Sequence, residues 1–200
     1  MKITPSPQGI RTSPWLLLIL PVALMLATRM DHFGSALHLP DGSLAAFFFA
    51  GLLLRGRPRA LAFPLLCALA GAIDYWAIAV GGVSSFCVTP AYGFLLPTYF
   101  ALWWAGRTGA RLDLAQGAAW LRLGTLATLG VLAAFLISNG SFYLFSGYVA
   151  APGVADYLQG VTRYLPHYAG YGLGYIALGL VLCRAFGLGT RHGAGVARHG

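Results

Sequence analysis

Apolar residues along this chain come in long runs, without the alternating or three-to-four-residue rhythm of a soluble fold. Six runs stand out: about Trp15 to Met30, about Ser43 to Leu54, Leu61 to Val80, about Thr89 to Ala105, Ala118 to Ser138, and about Tyr168 to Phe186. A spanning helix needs about 20 mostly apolar residues. The pattern therefore predicts an all-α integral membrane protein with six transmembrane helices. The second run is short unless positions 38–42 add to it within the headgroups. Pro40-Asp41-Gly42 predicts a turn before it, with Ser43 as cap. Pro21, Pro64 and Pro97 fall inside runs, where neighbouring helices satisfy the freed carbonyls. Residues 1–14 are expected to form a cytoplasmic segment, 15–186 the six-helix membrane domain, and 187–200 a disordered Gly/Arg/His tail. The first run follows Lys2 and Arg11 as in a signal peptide. No convincing small-residue cleavage site follows Leu26, so it reads as a retained helix.

Composition agrees. The 200 residues are 58% hydrophobic and 9% charged, against about 25% charged in a soluble domain. A net charge of +8 points to nucleic acid in a soluble protein, but here the cations lie between the apolar runs and read as topology. Lys2, Arg11, Arg55, Arg57, Arg59, Arg107, Arg111, Arg122, Arg184, Arg191 and Arg198 fall on one side of a six-span chain, leaving only Arg29 and Arg163 on the other. The positive-inside rule then puts both termini in the cytoplasm. The segments 31–41, 81–89 and 139–167 face outward. They hold Asp31, His32, His38, Asp41, Cys87, Asn139, Arg163 and His167, and many aromatics. NGSFYLFSGYVAAP after the fifth run is too apolar for a solvated loop and reads as a lid or an interfacial segment.

The outward segment Gly81 to Tyr92, GGVSSFCVTPAY, carries the most specific chemistry. Its thiol, Cys87, is either an inert small residue or a soft axial ligand to a metal. Phe86 and Tyr92 flank it as candidate ligand contacts, with an aromatic-belt role as the alternative for Tyr92. Asp74 is an ionisable residue inside a span and so a candidate site residue. The competing role is a packing hydrogen bond to Tyr75, Tyr92 or Tyr99. Cys67 and Cys183 read as inert, and the three cysteines show no zinc or CxxC spacing. The tryptophans read as belt or packing residues. His32, His38 and His167 share no motif spacing. Ala23 and Ala27 form a small-xxx-small pair on the first run, suited either to packing within the chain or to a partner membrane protein. The sequence contains no P-loop, HExxH or GxSxG motif and no catalytic carboxylate pair, so ATP hydrolysis is not its own.

The stretches DHFGSALHLPDGSLAAFFFAGLL, AGAIDYW, SSFCVTPAYGFLLP and YLPHYAGYGLGY resemble the BtuM family of cobalamin transporters. These belong to the S-components of the energy-coupling-factor (ECF) vitamin transporters. The resemblance covers most of the chain. It implies an outward cavity that binds cobalamin (vitamin B12) as substrate, with no free metal ion. It implies that Cys87 coordinates cobalt with the nucleotide base detached, and that Asp74 and Tyr92 lie near the corrin. A thiolate trans to cyanide promotes cyanide loss, so the resemblance also implies decyanation of cyanocobalamin, with Cys87 as the catalytic group. The partners it implies are an ECF transmembrane coupling subunit and two ATPases, reached through the Ala23/Ala27 face. Two other readings stay open at this level. One is an S-component for another vitamin. The other is an intramembrane cysteine transpeptidase or protease with Cys87 as nucleophile, His167 as base and Arg163 stabilising the oxyanion.

Overall fold

The computed structural model describes residues 14–29, 40–114, 116–149 and 153–186. The terminal segments and His32 and His38 lie outside this range, as do residues 1–13 and 187–200. Six α-helices follow one another: α1 (Pro14–Arg29), α2 (Ser43–Leu53), α3 (Gly56–Ala79), α4 (Leu95–Gly109), α5 (Gly117–Phe145) and α6 (Val154–Ala185). Two short 3-10 turns, Ser85–Cys87 and Pro90–Phe94, sit between α3 and α4. No strand occurs among the described residues.

Three helices, α3, α5 and α6, are long and apolar enough to cross a membrane. Their outward surfaces are apolar: Leu65, Leu121, Leu129, Leu136, Leu178 and Val181 are all exposed. At 29 residues α5 is about 44 Å long, well beyond the roughly 30 Å of bilayer hydrocarbon. It continues to Phe145, so the first half of NGSFYLFSGYVAAP is regular helix and not a lid. Gly147 then turns the chain with φ +78°. The last helix begins at Val154, fourteen residues before the sixth apolar run was expected to start. Its early turns carry Asp156, Gln159 and Arg163, which mask it in a hydropathy pattern.

The second apolar run folds differently from a lipid-facing span. All eleven residues of α2 are buried, and at about 16 Å it is too short to cross the bilayer alone. It is the central rod of the bundle, packed on α4, α1, α6 and α3. Glycine makes its tightest contact possible. A Cβ on Gly51 would collide with the Trp103 carbonyl, and one on Gly106 with the Phe48 carbonyl. The two glycines thus let α2 and α4 meet backbone to backbone, as in membrane helix pairs. Ser43 is the first residue of α2 and does not cap it. The Asp41 carboxylate does so instead, accepting from the Ser43 amide at 2.9 Å.

The helices alternate in direction, which separates two ends of the bundle. One end gathers the α2–α3 join with Arg55, Arg57 and Arg59, the α4–α5 join with Arg107 and Arg111, and Arg184 at the close of α6. The other end gathers Arg29, the start of α2, the last turns of α3, the two 3-10 turns and the end of α5. The site is built there.

Candidate functional site: a polar knot beneath an aromatic cavity

Arg29 is the last residue of α1, and its guanidinium is buried. Nε donates to Asp74 Oδ1 at 2.7 Å and Nη2 to Asp74 Oδ2 at 2.6 Å, a two-pronged pair between α1 and α3. Nη1 donates to Asp41 Oδ2 at 3.1 Å, to Ser43 Oγ at 3.0 Å and to the Tyr99 hydroxyl at 2.8 Å. One side chain therefore ties four helices together. The neighbouring Thr28 adds to it: its hydroxyl donates to the Leu24 carbonyl and accepts from the Gly42 amide at 2.9 Å. The Gly42 position is tight, with Leu24 and Thr28 each 3.0 Å from where a Cβ would stand.

Asp74 and Tyr92, singled out from the sequence, come together here. The Tyr92 hydroxyl donates to Asp74 Oδ2 at 2.6 Å. Asp74 thus makes one of the packing bonds weighed for it, and it also lines a cavity. Arg29 is the residue that sequence reasoning missed. Its signal was available: a basic residue closing one apolar run and a lone carboxylate inside another commonly pair within a membrane.

Above the knot lies a partly open cavity of about 750 Å³. Arg29, Asp41, Asp74, Tyr92 and Tyr99 form its polar floor. Its walls are largely aromatic, with Phe135 and Phe142 from α5 and Tyr164, Tyr168 and Tyr171 from α6. Packing holds these rings: Tyr99 stacks on Phe47 of the central helix at 4.3 Å, and Phe135 meets Tyr168 edge-on at 5.3 Å. Ser138 and Asn139 also line the cavity. Neither side chain has a hydrogen-bond partner among the described residues, nor do the hydroxyls of Tyr164, Tyr168 and Tyr171. An apolar cavity with a few unpartnered polar groups is the usual form of a small-molecule site.

The Cys87 turn lies at the edge of this cavity. Ser84 caps the turn, its hydroxyl accepting from the Phe86 amide at 3.2 Å. Thr89 caps the next one in the same way through the Ala91 amide. Phe86 stacks on Tyr148 at 4.3 Å and leans on Phe142, a wall residue, at 5.8 Å. Ala91 and Tyr92, just after the thiol in the chain, are lining residues themselves. The backbone of Cys87 is thereby held between a wall contact and the floor; its side chain lies outside the described atoms. Cys67 and Cys183 are free thiols away from the cavity.

Other expected groups fall elsewhere. Arg163 and His167 are exposed on α6 and are not among the lining residues, which leaves the nucleophile-and-base arrangement without its partners in the cavity. Ala23 and Ala27 point out of the bundle beside exposed Trp15, Leu16, Ile19, Leu20 and Leu26. Among the described residues, no close helix packing covers them. Among the described residues, no group of three or more His, Cys, Asp or Glu side chains is arranged to hold a metal ion. The chain matches no protein-family model. It matches no curated protein either.

Proposed function

We propose that this protein captures cobalamin in the cavity and carries it across the bacterial inner membrane, with the Cys87 thiolate as axial ligand to the cobalt of the substrate. The observation that carries this reading is the aromatic-walled cavity of about 750 Å³ with a thiol-bearing turn at its edge. Thiolate is a strong soft donor and suits a low-spin metal held in a macrocycle. Aromatic rings suit the broad apolar faces of a corrin. The unpartnered groups of Ser138, Asn139 and the tyrosines suit its fringe of amides. Charge agrees as well. Cobalt(III) in a monoanionic corrin with one thiolate ligand keeps a positive charge, and the cavity floor has two carboxylates against one guanidinium. Cobalamin is larger than this cavity, so the corrin enters while the nucleotide, detached from cobalt, stays outside.

The arginine-rich end of the bundle faces the cytoplasm in this reading, and the cavity faces outward. Ala23 and Ala27 offer a close-approach face on α1 for an ECF transmembrane coupling subunit, with two ATPases supplying the energy. Thiolate ligation trans to cyanide weakens the cobalt–cyanide bond. Cyanide leaves as an anion with its bonding pair, and cobalt remains in its +3 state.

Mass spectrometry of small molecules retained by the purified protein tests the substrate directly. A corrinoid is expected; a different vitamin sinks the cobalamin reading. The Cys87→Ser variant tests the ligand. Wild-type protein should shift the visible absorption bands of cobalamin, whereas the variant should lose the shift and bind at least about tenfold more weakly, a loss of about 1.4 kcal/mol. An unchanged spectrum would mean that sulfur does not touch cobalt.

A further inference from the structure

The two carboxylates of the floor are not equivalent. Asp74 is held tightly: Oδ1 takes Arg29 Nε, and Oδ2 takes both Arg29 Nη2 and the Tyr92 hydroxyl, all within 2.7 Å. Its geometry matches the guanidinium prong for prong, so this pair is neutral as a unit. Asp41 is held more loosely. Its Oδ1 is engaged by the Ser43 amide and hydroxyl, at 2.9 and 2.6 Å, while Oδ2 has, among the described residues, only the longer 3.1 Å contact with Arg29. The Asp41 side chain is 28% exposed against 13% for Asp74, and it lines the cavity. Arg29 is the only basic side chain among the described lining residues. The floor therefore sets two carboxylates against one shared guanidinium, and Asp41 is the more loosely paired and more exposed of the two. A carboxylate in a membrane protein's interior demands hydrogen-bond donors. Among the described residues, the 3.1 Å Arg29 contact alone meets that demand at Oδ2, which leaves room for a further donor from the cavity.

A second observation points the same way. The Tyr99 hydroxyl is buried and accepts from Arg29, because guanidinium can only donate. Its own proton has no acceptor among the described residues, and Tyr99 too lines the cavity. The floor thus presents an acceptor at Asp41 and a donor at Tyr99, about the Arg29 head group that touches both. That is the complement of a primary amide, which offers N–H and C=O together.

We propose that Asp41 is the ligand-facing carboxylate of the cavity and takes the N–H of a peripheral primary amide of the substrate, with Tyr99 donating to the same group's carbonyl. This rests on the corrinoid reading above and names the residue that discriminates among corrinoids. A substrate carrying a carboxylate in place of that amide sets two anions against each other, and binding weakens.

The test uses full-length protein in detergent and a panel of corrinoids, each with one peripheral amide hydrolysed to a carboxylate. Affinity is read from the absorption change or by calorimetry. Wild type should bind one member of the panel at least about tenfold more weakly than the parent, a difference of about 1.4 kcal/mol. Asp41→Asn keeps an oxygen for the Ser43 amide and should erase most of that discrimination, while Asp41→Glu should retain it. Equal binding of all derivatives by wild type overturns the proposal even if the Asn variant fails to fold. So does discrimination that survives unchanged in a folded Asp41→Asn protein. Wild type that binds no corrinoid at all removes the functional reading itself, and this inference with it.

Discussion

Arg29 shows how much a single side chain can organise. Its five donor contacts join residues 45 and 70 positions away in the chain. Removing one partner of a buried ion pair typically costs about 3–5 kcal/mol, because the charge left behind is unpaired. Arg29→Met should therefore lower the melting temperature of the purified protein sharply. The double variant Arg29→Met/Asp74→Asn should recover much of the loss, since it leaves neither member of that pair charged. Arg29→Lys keeps the charge but not the two-pronged geometry and should fall between. If the double variant melts below the single one, the pair is not the source of the effect. Tyr92→Phe is a milder probe: it deletes one hydrogen bond to a carboxylate, with an expected loss of about 1.5 kcal/mol. Asp74 was legible in the sequence because a charge inside an apolar run is conspicuous. Arg29 left a signal too, as a cation closing an apolar run, but the partner it takes depends on which helix ends meet.

At the scale of the element, α2 and the glycines that seat it decide the packing. Gly51→Ala and Gly106→Ala each place a methyl against a facing backbone carbonyl, which cannot rotate away as a side chain can. Overpacking of this kind costs about 1–3 kcal/mol and more where backbone must move. Gly71→Ala in α3 and Gly124→Ala in α5 meet nothing within 4 Å. These should leave stability unchanged or raise it by about 0.4–1 kcal/mol, through the lost freedom of the unfolded chain. Thermal unfolding of the four variants side by side checks this, and equal behaviour of both pairs would refute the close α2–α4 contact. Sequence patterning located α2 but read it as the second of six spans, short unless residues 38–42 extended it. The structure makes it a buried rod, while α5 and α6 run well past the lengths that their apolar runs predict.

The whole molecule is polar inside at one end and apolar outside along its length. Leu, Val, Phe and Trp side chains are exposed on the long helices, while Arg29, Ser43 and Thr98 are buried. This is the arrangement expected where hydrocarbon replaces water as the surrounding phase. Reporter fusions test the orientation inferred from charge. A reporter active only outside the cytoplasm should be silent at the α2–α3 and α4–α5 joins and active when placed between α5 and α6. The reverse pattern would turn the cavity toward the cytoplasm and remove the capture role.

The sequence by itself determined that the chain is helical, apolar enough for a membrane, and divided into an arginine-rich end and an end with the unusual side chains. Those properties follow from composition and local order, which need no knowledge of neighbours. It also picked out Asp74, Tyr92 and the Cys87 turn, because polar groups are rare in such a background. Tertiary structure alone decided that Asp74 pairs with Arg29, that Asp41 shares the same guanidinium at longer range, and that five tyrosines and two phenylalanines share one cavity. It alone made α2 a core element. The physical reason is the solvent: lipid and protein interior are equally apolar, so a residue facing one looks the same in the sequence as a residue facing the other.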